Sequence, residues 1–421
     1  MRRDFKRGKN LIVDGPASIH ILSGNISILG AILKNGAKVL IRDGKSVPLE
    51  VIRDADLELT LGENASFAET DEKMIMDSWK DAVNEILILK KPLSILVIGK
   101  IDTGKTSFCT YLANSALEAG HKVAVIDGDL GQSDIGPPAT MGLSYVREPI
   151  IDLYGLQMDN AVFVGVTSPS RATVESVNAL VTLKNKALKM NVDFLIINTD
   201  GWVEGEDAVN YKARLIEAVA PDAILCLQEG DELKPLLNKI RRPRVFIAEP
   251  PKTIKNRSRE ARKVLRELAY KKYLREAKVR CYPLSSIKIE GGFLKPNIQS
   301  RLERKRKLEE ILGMKLLHYE ETRDKILIVT EKEQPIYTEQ IERLGDTIEK
   351  HVIIFREEDE EGLLVALENE QGEYLGIGVL CEVDFNKKTL KVYTSVDGKV
   401  SSIQIGQVKL NKKGSEIGCE L

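Results

Sequence analysis

At residues 99–106 the chain reads Gly99-Lys100-Ile101-Asp102-Thr103-Gly104-Lys105-Thr106, a G-x-x-x-x-G-K-T pattern. An apolar run precedes it at residues 95–98, and a helical periodicity follows it over residues 107–119, so the pattern lies between a strand and a helix. Its glycines let the backbone wrap around an anion, and the positive end of the following helix strengthens the attraction. We therefore predict a nucleotide-binding site at residues 99–106 and Ser107, in which Lys105 reaches the β- and γ-phosphates and Thr106 ligates Mg²⁺ or another divalent cation.

Composition excludes several classes of protein. The 421 residues are 43% hydrophobic with a formal net charge of −1, which predicts two or three packed domains and no dominant field for nucleic acid or membranes. The five cysteines form no C-x-x-C pair, so neither a disulfide framework nor a structural zinc site is expected. No apolar run approaches the ~18 residues of a membrane span. These features favour a cytoplasmic protein without a membrane partner.

The hydrophobic pattern changes three times along the chain. Residues 1–71 alternate in short runs separated by turn signals, which predicts a small β-sandwich-like domain, and residues 72–92 predict a linking helix. Strands and helices then alternate over residues 93–314, which predicts an α/β domain with a mostly parallel sheet and a basic helical segment at about 252–280. Residues 315–421 predict a small β-rich domain. The strands expected in the α/β domain are 94–98, 123–126, 161–165, 193–198, 223–228 and 244–248.

Two acids follow the second predicted strand of the α/β domain. Residues 123–126 run directly into Asp127 and Asp129, which project to the same side of an extended chain. Acids at the carboxyl end of a core strand, beside a phosphate loop, lie where a metal ion and an attacking group meet. We expect one acid to hold the metal, directly or through water, and the other to accept a proton from an incoming hydroxyl.

Several motifs in this order resemble one family of enzymes. They are the phosphate loop in the form G-x-x-D-x-G-K-T, the D-x-D-x-G-Q segment that ends at Gln132, residues 137–142, the T-S-P-S segment from Thr167, the T-x-G-W segment from Thr199, and two arginines five residues apart at Arg257 and Arg262. Together they resemble the polynucleotide 5′-hydroxyl-kinases, P-loop kinases that include archaeal RNA kinases. The resemblance covers residues 95–280, and the three-part layout agrees with it.

The resemblance implies a function and a donor. The chain would transfer the γ-phosphate of ATP or GTP to the 5′-hydroxyl end of RNA, or alternatively of DNA. Lys105 would orient the γ-phosphate, Asp129 would act as the base, and Arg257 and Arg262 would close over the phosphoryl group as parts of a lid. Asp127 would have an outer, metal-associated role. Residues expected to bind RNA are Gln132, Thr167, Ser168, Thr199, Gly201 and Trp202.

Trp202 also has an interpretation that is independent of the resemblance. It follows a predicted strand among polar residues, which suits stacking on a nucleobase, although it could instead close the edge of the domain. Trp79 lies on the apolar face of a predicted helix and is expected in the core. Two other functions stay open at this point: a scaffold subunit of an RNA-processing complex that binds nucleotide without turnover, and a regulatory P-loop ATPase or GTPase. Protein partners are unknown.

Overall fold

The computed structural model describes residues 1–251, 257–290, 302–321, 325–348, 350–356, 359–384 and 387–419. The chain forms two compact units, Met1–Arg266 and Glu267–Leu421. These two units do not correspond one to one with the four segments expected from the sequence. The boundaries of those four segments stay a prediction.

An all-β module opens the first unit, as the alternation predicts. Its seven strands form one sheet in the order β4-β3-β6-β2-β7, with β1 added to β6 and β5 added to β3. Alternate side chains along β2 are buried, which is the pattern of a sheet with one covered face. The strands are β1 (Arg2–Phe5), β2 (Asn10–Asp14), β3 (Ala17–Ile28), β4 (Ala31–Lys34), β5 (Lys38–Ile41), β6 (Ser46–Leu61) and β7 (Ser66–Thr70).

The helix predicted over residues 72–92 is shorter in the structure. Helix α1 (Asp77–Leu87) buries Trp79 as part of its apolar face. The Trp79 indole meets the Phe108 ring edge-on at 5.1 Å and donates a hydrogen bond to the Glu249 carbonyl at 2.8 Å. The expectation that this tryptophan belongs to the core is therefore confirmed.

A second seven-stranded sheet forms the centre of the first unit. Its order is β11-β10-β9-β12-β8-β13-β14, in which β9, β12, β8, β13 and β14 are parallel and the other two are antiparallel. The strands are β8 (Leu93–Gly99), β9 (Val123–Gly128), β10 (Thr140–Val146), β11 (Asn160–Phe163), β12 (Phe194–Thr199), β13 (Ala223–Leu227) and β14 (Arg244–Ala248). The mostly parallel sheet is confirmed. Strand β10 was not predicted, because Pro137, Pro138 and Gly142 make this region look like a turn.

Helices connect the strands of this sheet. They are α2 (Lys105–Glu118), α3 (Thr173–Lys189), α4 (Glu206–Val219) and α5 (Lys234–Leu237), and a further helix, α6 (Arg259–Tyr273), follows β14. The basic segment predicted at 252–280 is helical only over α6; residues 252–256 lie outside the described residues, and a strand begins at Lys278. Strands β9, β12 and β8 are neighbours, so their carboxyl ends share one edge of the sheet. That edge positions the site.

The β module and the central sheet share one hydrophobic core. A single cluster of buried side chains contains Leu11 and Ile19 of the module together with Trp79 and Phe108. Asn114, which is 3% exposed, adds polar ties: its Nδ2 donates to the Leu29 and Ile150 carbonyls at 2.8 Å each. The module therefore packs against the phosphate-loop helix α2 as part of the same folded body.

The second unit is mostly β, with two helices beside its smaller sheet. One sheet has the order β15-β22-β21-β20-β23-β16 with β24 on β23, and the other has the order β17-β18-β19. The elements are β15 (Lys278–Pro283), β16 (Lys288–Glu290), α7 (Leu302–Leu312), β17 (Leu316–Glu321), β18 (Lys325–Thr330), α8 (Thr338–Ile348), β19 (His351–Arg356), β20 (Leu363–Glu368), β21 (Tyr374–Asp384), β22 (Thr389–Thr394), β23 (Ser402–Leu410) and β24 (Glu416–Cys419). In the described part of the chain, no helix has the length and hydropathy needed to span a bilayer.

Candidate active site

The phosphate loop lies between β8 and α2, as predicted. Gly104 has a φ of 87°, a left-handed conformation that other residues adopt at a cost, and it leads directly into α2 at Lys105. The Thr103 hydroxyl closes the loop by donating to the Lys100 carbonyl at 2.9 Å. The first backbone N–H groups of α2 therefore face the concave side of a tight loop, which is the arrangement that binds phosphate.

Lys105 is almost completely buried inside this loop. Only 7% of the residue is exposed, and its ammonium donates to the Lys100 carbonyl at 2.5 Å. Burial lowers the pKa of Lys105 to about 8, although the Asp129 carboxylate acts in the opposite direction. A phosphate bound in the loop would give this ammonium a negatively charged partner.

Asp127 is a buried carboxylate at the end of β9. Its Oδ2 accepts hydrogen bonds from the Asp134 N–H at 2.6 Å and the Ile135 N–H at 3.3 Å, while Oδ1 accepts from Asn198 Nδ2 at 3.0 Å. Burial raises the pKa of Asp127 to about 7, and the neighbouring carboxylates of Asp134 and Asp129 add to the effect. Because protein groups already occupy both oxygens, Asp127 suits an outer position rather than direct contact with an ion.

Asp129 has a different environment two residues further on. Its Oδ1 accepts from the N–H groups of Gly131 and Gln132 at 3.0 Å each, and no described residue donates a hydrogen bond to its Oδ2. Burial raises the pKa of Asp129 above its ordinary value, and the nearby Asp200 carboxylate raises it further. Lys105 acts in the opposite direction and lowers this pKa. A fixed carboxylate with one open oxygen and a raised pKa is suited to accept a proton.

The residues around Thr106 are compatible with a small, hard cation. The Thr106 hydroxyl lies 3.5 Å from Asn198 Nδ2, and Asn198 Oδ1 is buried without a hydrogen-bond partner among the described residues. Within those same residues there is no group of three or more His, Cys, Asp or Glu side chains that could hold a metal. An ion here would depend on the Thr106 hydroxyl, phosphate oxygens and water, which is the coordination that Mg²⁺ favours.

The two lid arginines converge on the phosphate loop. The Arg262 guanidinium donates to Asp102 Oδ2 at 2.7 Å, the Arg257 N–H donates to the same oxygen at 3.0 Å, and the Arg257 guanidinium lies 3.8 Å from Oδ1. Gln132 Nε2 donates to the Arg262 carbonyl at 3.1 Å. The structure thus brings together the lid, the phosphate loop and the segment that carries Asp129, with Asp102 as a common partner.

The loop after β12 lies against the phosphate loop on another side. A Cβ at Gly201 would approach Ile101 Cγ1 to 2.5 Å and the Ile101 backbone nitrogen to 2.6 Å, so only glycine fits at this contact. The Trp202 ring is half-buried and stacks on Tyr211 with a centroid distance of 5.6 Å. The Thr199 hydroxyl is buried and donates to the Val97 carbonyl at 2.8 Å, so Thr199 fixes the start of this loop to strand β8.

The remaining predicted residues lie nearby in different roles. The Thr167 carbonyl packs against Gly131, which places this segment beside the carboxylate loop, and Ser168 Oγ lies 2.8 Å from Ser170 Oγ. Lys100 turns away from the loop and pairs with Glu204, with 2.6 Å between Nζ and Oε1. The T-S-P-S segment therefore lies beside the carboxylate loop, while the Lys100 ammonium is paired with Glu204.

One set of site residues was missed by sequence reasoning. The turn between β5 and β6 reaches the carboxylate loop: Lys45 Nζ lies 3.0 Å from each oxygen of Asp134, and Arg42 lies 3.4 Å from Oδ1. Burial acts to raise the pKa of Asp134, but Lys45 and Arg42 outweigh it and hold the pKa below its ordinary value. No local pattern indicates this contact. Asn198 was also missed, although a polar residue at the end of a buried strand beside β8 was a usable signal.

Comparison with known proteins agrees with these motifs. Residues 99–276 match the family described as mRNA cleavage and polyadenylation factor CLP1 P-loop. The chain is 32% identical over 340 residues to the polyribonucleotide 5′-hydroxyl-kinase of Pyrococcus furiosus, covering 80% of this chain and 93% of that protein. For the enzyme of the same name from Methanocaldococcus jannaschii, identity is 29% over 347 residues, covering 80% and 92%.

A solved structure supports the fold over almost the whole length. A chain of the wild-type Clp1p–Pcf11p complex superposes with a TM-score of 0.65 at 12% identity, covering 97% of both chains. At this identity the likeness concerns the fold alone. On the strength of the archaeal relatives, the chain belongs to the family of polyribonucleotide 5′-hydroxyl-kinases, as its motifs predicted.

Proposed function

We propose that this protein transfers the γ-phosphate of a nucleoside triphosphate to the 5′-hydroxyl end of RNA. One observation carries the proposal: a continuous set of hydrogen bonds joins the segment of Asp129 to the lid and the lid to the phosphate loop. Asp129 is bonded to the Gln132 N–H, Gln132 to Arg262, and Arg262 to Asp102. These contacts support the proposal, because they connect the expected base, the lid and the phosphate loop.

Each side chain has a defined task in this proposal. Lys105 and the backbone of residues 99–107 hold the β- and γ-phosphates of the donor. Thr106 would hold the divalent cation through its hydroxyl, with Asp127 in an outer position, and the cation would neutralise charge on the phosphates. Arg257 and Arg262 exchange Asp102 for the oxygens of the γ-phosphoryl group, because a phosphate, like a carboxylate, presents two acceptor oxygens to a guanidinium.

The acceptor enters from the side of Trp202. The 5′-terminal base stacks on the Trp202 ring, and Gln132, Thr167 and Ser168 bind the phosphates that follow it. Asp129 Oδ2 accepts the proton of the 5′-hydroxyl as the oxygen bonds to the γ-phosphorus. The bond from that phosphorus to the β–γ bridging oxygen breaks, and the nucleoside diphosphate leaves with the electron pair.

The test is phosphate transfer with defined acceptors. The protein is incubated with Mg²⁺, γ-labelled ATP or GTP, and an oligoribonucleotide that has a 5′-hydroxyl; the same strand with a 5′-phosphate and a matched oligodeoxyribonucleotide serve as controls. We expect label on the 5′-hydroxyl strand and none on the 5′-phosphate strand. Hydrolysis that is indifferent to 5′-hydroxyl ends would instead support a regulatory ATPase or GTPase, and nucleotide binding without turnover would support a scaffold.

A further inference from the structure

A buried ion pair fixes the loop after β12 to helix α4. Lys212 Nζ donates to Asp200 Oδ2 at 2.8 Å and to the Asp200 carbonyl at 3.0 Å. The side chain of Lys212 is 0% exposed and that of Asp200 is 7% exposed. The Tyr211 hydroxyl donates a second hydrogen bond to Oδ2 at 3.2 Å. Two consecutive residues of α4 therefore hold one carboxylate that lies next to Gly201.

The same carboxylate also holds the backbone of Trp202. Asp200 Oδ1 accepts from the Trp202 N–H at 2.9 Å, so one oxygen binds the helix and the other binds the loop. The Trp202 ring in turn lies over the Tyr211 ring with an interplanar angle of 24°. Both the peptide and the ring of Trp202 are thus oriented by Asp200, Tyr211 and Lys212.

Stability alone does not account for this pair. Replacing a buried ion pair by apolar groups of similar volume is often neutral or stabilising, because desolvation of the two charges offsets their attraction. The pair instead fixes the loop without adding a net charge beside Lys105 and Asp129, which both interact electrostatically with Asp200. A neutral clamp beside a charged reaction centre is consistent with a role in orientation.

We propose that Lys212 and Asp200 are positioning residues for the acceptor end of the RNA. They hold the Trp202 ring, through Tyr211 and the Trp202 N–H, in the orientation that receives the terminal base. The inference rests on the proposed function, since it specifies how that same site holds its acceptor. The hydrogen bonds of Lys212 and of the Asp200 carboxylate run to each other, to Tyr211 and to the Trp202 N–H, so the pair acts on RNA binding through Trp202.

The expected size of the effect has an upper bound. Stacking of a base on an aromatic side chain contributes an amount equal to about five- to 150-fold in affinity. Loosening the clamp can remove at most that contribution, because it acts through the ring. We therefore expect the KM for a 5′-hydroxyl RNA to rise by no more than this factor, while the affinity for nucleotide stays within about twofold.

A double-mutant comparison tests the mechanism. D200A/K212M removes both charges together and avoids the unpaired carboxylate that K212M alone would bury. We expect it to raise the KM for RNA in the otherwise unchanged protein and to have less than about a twofold effect in a W202A background. An effect of equal size in both backgrounds, or an unchanged KM, would overturn the proposal.

Two further variants separate positioning from folding. R214M removes an exposed cation from the same helix and is expected to leave the KM for RNA unchanged. Y211L removes the surface under Trp202 while it keeps the ion pair, and it should reproduce the rise in KM; if it does not, the inference is wrong even where the double variant fails to fold. Thermal unfolding reports whether each variant is folded. Failure of the unmodified chain to phosphorylate RNA would refute the proposed function and this inference with it, whereas an active chain whose variants keep a normal KM would refute only the inference.

Discussion

The burial of Lys105 makes nucleotide binding depend on pH in a way that an exposed lysine would not. In the free protein burial lowers the pKa of Lys105 to about 8. Bound phosphates stabilise the charged form, so the nucleotide complex requires a protonated ammonium. Affinity is therefore fully present below the pKa of the free protein and declines as the pH rises through it. The perturbation is a change from about pH 7.5 to about pH 9.5, over which the nucleotide phosphates stay ionised.

The size of the change in nucleotide affinity follows from the fraction of the free protein in which Lys105 is already protonated. With a pKa of about 8, that fraction is about three quarters at pH 7.5 and about 3% at pH 9.5. The dissociation constant for nucleotide should therefore rise about 25-fold, which corresponds to ~1.9 kcal/mol. A lysine with the ordinary pKa of 10.5 would give a change in the dissociation constant of only about 1.1-fold over the same interval.

Isothermal titration calorimetry with a non-hydrolysable triphosphate at constant Mg²⁺ measures this change. Repeating the titration at about pH 9 in buffers with different ionisation enthalpies should reveal uptake of nearly one proton per nucleotide bound. K105R is the matched control, because its guanidinium stays charged and its affinity, whatever its absolute value, should not vary with pH. An affinity for the unmodified protein that is flat to pH 9.5, or binding without proton uptake, would refute the reasoning.

Three further predictions concern individual side chains. D129N should lower kcat by about 10²–10⁴-fold while nucleotide affinity in a binding titration stays largely intact; a variant that keeps its activity would exclude Asp129 as the base. R262A should lower kcat by about 10³-fold and change nucleotide affinity little, as judged by transfer assays at saturating donor; an effect confined to the KM for nucleotide would place Arg262 in ground-state binding. G201A should destabilise the fold by ~1–3 kcal/mol in chemical denaturation and raise the KM for RNA, because a Cβ would meet Ile101 at 2.5 Å. An unchanged KM and kcat would show that the phosphate loop and the loop after β12 can move apart without an effect on activity.

The prediction of the centre of the site rests on local patterns. The phosphate loop, Asp127, Asp129 and the T-x-G-W segment each lie at the carboxyl end of a buried strand, and parallel neighbours bring strand ends together at one edge. Lys105 is therefore expected near the two acids without any tertiary information, and it interacts electrostatically with Asp129. The roles of these residues remain predictions until the variants are measured.

Contacts between distant parts of the chain were not predictable in this way. Lys45 and Asp134 are 89 positions apart, and Asp102 and Arg262 are 160 apart. Neither pair produces a periodicity or a spacing that a sequence can reveal, because their meeting depends on how the β module and α6 pack. The same holds for Lys212, which resembles any lysine of an amphipathic helix until its burial is known.

The common core of the β module and the central sheet has a consequence for how this enzyme can be shortened. A chain begun at residue 72 would expose the apolar side of α2 and leave the Asn114 amide without its Leu29 partner. It would also lack the cations that neutralise Asp134. Truncation from the amino terminus should therefore yield an aggregating, inactive fragment, so that the smallest working catalyst includes a segment that contributes none of the family's motifs.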